Sequence, residues 1–80
     1  MIRSRRLCGA IKVARVAAAL GGASRPMVDL DASGFPELAA RIQRTQTLDR
    51  WAHIICGKTI YPARVMPGPD GPVICVFTLD

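Results

Sequence analysis

The residues best suited to meet another molecule are cations, and they crowd into one end of the chain. Arg3, Arg5, Arg6, Lys12, Arg15 and Arg25 give the first 28 residues a charge of +6, with no acid among them. Residues 29–80 carry −1, from five basic and six acidic side chains. The whole net charge of +5 therefore lies in the first third. Such an asymmetry marks a surface that meets something anionic, whether nucleic acid, an acidic protein or lipid head groups. Trp51, Tyr61, Phe35 and Phe77 are the only aromatic residues. That is too few for a stacking platform along single-stranded nucleic acid.

Other residue sets offer chemistry by type but lack the spacing for it. Asp29-Leu30-Asp31-Ala32-Ser33-Gly34 matches the opening of a calcium loop. Such a loop needs a bidentate Glu at its twelfth place, and that place is Ala40, with Glu37 three residues too early. The segment reads instead as an Asp/Ser/Gly turn leading into a helix. Cys8, Cys56, Cys75 and His53 make a zinc set by count, but there is no C-x-x-C to begin a tetrahedral site. On a regular strand His53 and Cys56 would also point to opposite faces. A nucleophilic site needs a thiol or hydroxyl, a base and an orienting acid together. His53 is the only His, and no phosphate-loop or serine-elbow motif is present. We therefore expect no enzyme, no cofactor and no metal.

Three Cys with no close pair suit a reducing compartment and three small buried thiols better than a secreted disulfide framework. The basic start followed by an apolar stretch invites a check for a leader. Lys12 and Arg15 interrupt the stretch. No uncharged run approaches the ~18 residues that span a bilayer. The expectation is a soluble cytoplasmic protein, with no membrane partner.

These residues must be positioned by a small fold. Eighty residues, half of them hydrophobic but rich in Ala, make one domain over 1–80 with a limited core. A homodimer would enlarge that core. Residues 5–20 fit an amphipathic helix, with Arg5, Lys12 and Arg15 on one face and Leu7, Ile11, Ala14 and Ala18 opposite. Gly21-Gly22 ends it. A strand over Ile11–Val16 competes, because that segment holds three β-branched residues. A second helix starts at Pro36, with Glu37 at its positive end, and runs to about Gln46. Residues 25–31 are ambiguous between a short helix and an extended segment.

From Trp51 the pattern changes to β. Residues 51–56, 59–66 and 73–79 read as three strands of an antiparallel meander, with Gly57-Lys58 as a two-residue turn. Residues 67–72, Pro-Gly-Pro-Asp-Gly-Pro, read as irregular. Pro62 cannot donate in a central strand. It calls for a bulge, or for the third strand to pair with the first. The fold class is thus α+β: two or three N-terminal helices on a C-terminal three-stranded antiparallel sheet. Residues 1–50 are mostly helical and basic at the start, and 51–80 form the meander.

Two resemblances add to this. Residues 16–28, an Ala/Leu helix, turning Gly, then Ser24, Arg25, Pro26 and a hydrophobic residue, resemble the helix-turn-helix of Cro-type phage repressors. Gly34-Phe35-Pro36 with Leu38 and Ile42 is similar to the next helix of that family, so the likeness spans about residues 9–44. It implies a transcriptional regulator that binds duplex DNA through Ser24 and Arg25. The whole profile, short, compact, without catalytic motifs and lopsided in charge, resembles small phage-encoded inhibitors of the anti-CRISPR type. That likeness implies a non-enzymatic protein that occludes a host protein or nucleoprotein complex. Arg5, Lys12 and Arg15 would make the contact, helped by Arg3 and Arg6. The inhibitor reading stands first, because Asp29 and Asp31 would be repelled by phosphates.

Overall fold

The computed structural model describes residues 1–22 and 26–78. Its elements run β1 (Ile2–Arg3), α1 (Arg5–Leu20), β2 (Met27–Asp31), a 3₁₀ turn (Ala32–Gly34), α2 (Pro36–Thr45), β3 (Ala52–Cys56), β4 (Thr59–Gly68) and β5 (Gly71–Phe77). The coarse α+β expectation holds, with two helices. The sheet is larger than expected: five strands in the order β1-β3-β4-β5-β2. The meander β3-β4-β5 is antiparallel throughout. The first half of the chain adds both edges, β1 parallel to β3 and β2 antiparallel to β5.

Local chemistry explains most element ends. Ser4 caps α1 by accepting the Leu7 N–H at 3.1 Å. Gly21 closes it, its N–H donating to the Ala17 carbonyl. Helix therefore prevails over strand at residues 11–16, where Leu7 and Ile11 are buried on one side, Ala14 and Ala18 follow half-buried, and the Ala-rich second half favours helix. Pro36 starts α2 as expected. Gly57 takes φ +64 while no non-glycine residue among those described has a positive φ. A two-residue turn with only its first centre left-handed is the type II′ geometry that closes hairpins.

One open alternative is resolved and two local expectations are corrected. Residues 27–31 are strand, with Val28 and Leu30 inward and Met27, Asp29 and Asp31 exposed. Residues 67–72 are not irregular: Pro67 faces Pro72 and Gly68 faces Gly71 across a turn at Pro69-Asp70. At Pro62 there is neither a bulge nor a rearranged strand order. It stands opposite His53 in unbroken register, and β5 pairs with β4 only from Ala63 onward, so β4 is locally an edge there.

One face of the sheet packs against both helices. Ile54, Ile74, Val76, Ala52 and Ala63 meet Leu7, Ile11 and Ile42 there, all essentially without exposure. Gln46, just past α2, holds Val65 from both sides: the Val65 N–H donates to its Oε1 at 2.8 Å and its Nε2 donates to the Val65 carbonyl at 3.2 Å. It fills the place a longer β3 would have taken. The opposite face has no helix over it and carries His53, Ile60, Met66 and Met27 exposed.

Candidate functional site: a basic groove beside the first helix

Alternation along the strands decides what α1 meets. Ala52, Ile54 and Cys56 share the helix-facing side of β3. Cys56 comes last, beside the start of α1, and forms a disulfide with Cys8. Their Cα atoms are 5.6 Å apart, across 48 residues of sequence. This overturns the reading of three isolated buried thiols, because strand pairing brings together two Cys that are distant in the chain. It also removes the cysteine argument for a reducing compartment. Among the described residues no helix is long and apolar enough to cross a membrane.

Between α1 and the β3–β4 hairpin lies an open groove of about 920 Å³. Arg3, Arg5, Lys12 and Arg15 line it, with Tyr61, Thr59 and the Cys8–Cys56 pair on its walls. Its described lining contains no Asp or Glu. Arg3, Arg5 and Lys12 are exposed; Arg15 is half-buried and donates from Nη1 to the Tyr61 hydroxyl at 2.9 Å. Its guanidinium carbon lies 6.0 Å from the Tyr61 ring centre. Four of the five cations expected to bind a partner are thus gathered in one groove.

Arg6 is the exception. It leaves the helix on another side, where its guanidinium sits 4.9 Å over the Phe35 ring and donates to the Gly34 carbonyl at 3.2 Å. Ser24 and Arg25, the expected DNA-contacting residues, lie outside the described residues. The segment that would be the second helix of a helix-turn-helix is β2, pairing residue by residue with β5. The two-helix geometry of that reading is therefore not formed over 27–31. Its alternating inward Val28 and Leu30 satisfy a sheet edge rather than a helix face.

The placement of Arg5 and Arg6 goes against helix stability. They occupy the first turn of α1, which contains no acid, and the last turn contains no base. A helix macrodipole favours the reverse. The positive helix end and the cations therefore add to one another at the mouth of the groove.

The remaining candidates disperse. His53 is exposed on the helix-free face, and Cys56 faces the helix. Asp31 caps the 3₁₀ turn, accepting from the Ser33 N–H at 2.9 Å and the Ser33 hydroxyl at 2.8 Å. Those bonds hold its carboxyl below the ordinary range, the hydroxyl contributing most. Cys75 is buried under the helix-free face beside Arg64 and Asp29 in register. Burial first, and then the Asp29 charge, push its thiol up to about 11, against the pull of Arg64.

Sequence reasoning missed Tyr61, Thr59 and the cystine as groove residues. One signal for Cys8 was present: Arg5, Cys8, Lys12 and Arg15 stand at i, i+3, i+7 and i+10, a single helical stripe. It also missed a second depression of about 750 Å³ on the helix-free face, around Trp51, His53, Pro62 and Phe77. No protein-family model matches the chain, and no curated protein or solved structure is significantly similar to it.

Proposed function

We propose that this protein is a small non-enzymatic binding module that docks its basic groove on an acidic surface of a partner protein, alone or within a nucleoprotein complex, and inhibits by covering that surface. The observation that carries the reading is the set of four cations in one groove along α1, whose described lining has no acid, with Arg3 and Arg5 beside the positive helix end. Arg5 at the helix start is unfavourable for folding, so a ligand that neutralises it restores what the helix lacks. The groove offers cations, a phenol and a hydroxyl, and no described carboxylate or imidazole that could take a proton near neutral pH. Binding suits that set better than acid–base catalysis.

The test compares a labelled oligo-glutamate peptide with a random duplex DNA pool, at low and at physiological ionic strength. The proteins are wild type and the double variant Arg5→Glu, Lys12→Glu. We expect the peptide to bind wild type and to lose about tenfold or more in the variant, the scale of removing two steering charges. No sequence should be enriched from the duplex pool. Sequence-selective duplex binding at physiological salt, or peptide binding indifferent to the substitutions, would overturn the proposal.

A further inference from the structure

The Cys8–Cys56 bond is part of the groove wall. Both residues are half-buried and line the groove beside Arg3, Arg5, Lys12 and Arg15. Cys8 lies in the cationic stripe, three residues after Arg5 and four before Lys12. It also closes the first turn of a helix whose N-terminus Ser4 caps. A thiolate at a helix N-terminus with cations around it is stabilised twice over. The third cysteine shows the contrast: Cys75 is buried, beside a carboxylate, and carries no disulfide.

We infer that the groove cystine is a thiol–disulfide exchange site selective for small thiols that carry carboxylates, with Cys56 as the sulfur attacked and Cys8 as the leaving thiolate. The reagent's thiolate attacks Sγ of Cys56. A new S–S bond forms between them as the Cys8–Cys56 bond breaks, and the electron pair leaves on Cys8. The better-stabilised thiolate leaves faster, which fixes the direction. A second reagent thiolate then attacks the reagent's sulfur in the mixed disulfide and releases Cys56 as thiolate. Two reagent thiols end as one disulfide, and the protein cystine has gained their two electrons. The two protons the reagent thiols gave up are available to the protein thiolates. The groove cations hold the reagent's carboxylates during the first attack, so charge selects the reagent.

The measurement is the rate of loss of the Cys8–Cys56 bond, followed by acid quench, alkylation and mass. Mercaptosuccinate, 2-mercaptoethanol and cysteamine are compared at equal thiolate concentration, each rate divided by that for a small neutral disulfide. In wild type at low salt mercaptosuccinate should lead 2-mercaptoethanol by roughly tenfold, the scale of a few water-screened charge pairs, with cysteamine slowest. High salt should collapse the lead without any mutation. Arg5→Glu with Lys12→Glu should abolish it. Arg41→Glu with Arg44→Glu, the same charge change on exposed positions of α2, should leave it intact. Peptide mapping of the trapped intermediate should find the reagent on Cys56. A lead that survives salt or is equal in all three proteins, a reagent trapped on Cys8, or an air-oxidised protein with three titratable thiols would overturn the inference. Peptide docking in the groove involves no sulfur, so each of these failures would leave the proposed function standing.

Discussion

The groove beside α1 and the helix-free face of the sheet both use arginine, and they use it differently. On the sheet face Arg64 lies 5.1 Å over the Trp51 ring and donates to the Thr47 carbonyl, fixing the loop between α2 and β3. Trp51 in turn meets Phe77 edge-on at 6.2 Å. Arg64 is occupied by its own fold. In the groove, Arg3 of β1 and Arg5 and Lys12 of α1 are exposed to solvent, and the helix start gains nothing from Arg5. Arg15 stands between the two cases, bound to Tyr61 yet lining the groove. Whether an arginine serves structure or partner is decided by what its guanidinium already touches.

The contrast between the two surfaces can be tested by substitution. The largest effect should come from the groove's tether. Replacing Cys8 and Cys56 together by Ser reopens a loop of 48 residues. That should cost about 4 kcal/mol on the chain-entropy scale, read from chemical denaturation. A loss under about 1 kcal/mol would mean that the groove wall does not depend on the bond. Next comes Arg64→Ala, which strips a cation–π contact and a hydrogen bond from the sheet face and should cost roughly 1–2 kcal/mol. Lys12→Ala in the groove should stay within about 0.5 kcal/mol. Equal costs would erase the distinction between the two surfaces.

The sheet face also predicts a pH effect. The Cys75 thiol titrates near 11 in the fold, against an ordinary 9.0. Above pH 9 the unfolded chain has lost a proton that the folded chain keeps, so the stability from the neutral thiol is present below pH 9 and is lost as pH rises towards 11. A Cys75→Ala variant should flatten that part of a thermal-melting series. Native alkylation of Cys75 at pH 8 should also be slow. One further effect has the opposite sign. Arg5→Glu places an acid in the first turn of α1 and should raise stability by about 0.3–1 kcal/mol while weakening the groove's hold on anions. Lower stability in that variant would mean that Arg5 serves the fold.

Much of the architecture was legible locally. The span of α1 agrees at both ends, because a helical stripe and a Gly pair act within a few residues; its capping Ser4 went unread. The start of α2 at Pro36 and the turn at Gly57-Lys58 are equally local. The β1 strand was not legible, since two residues carry no periodicity. Nor was β2, where five residues of alternation can be read either way until β5 pairs with them. The prolines at 67 and 72 signalled an irregular loop, yet they face each other as a strand pair, because the register set by the rest of β4 and β5 carries the ladder past them.

The same division runs through the site. The charge asymmetry, the cationic stripe on α1 and three β-rich runs, though not the order in which they pair, were readable from the chain alone, because spacing, composition and turn chemistry act over short distances. Only the tertiary structure decided that Arg3, Arg5, Lys12 and Arg15 face Tyr61 and a cystine, and that Arg6 turns away to Phe35. Those contacts join residues about thirty to fifty positions apart, and pairing over such separations is set by sheet register and helix docking, which no local pattern encodes.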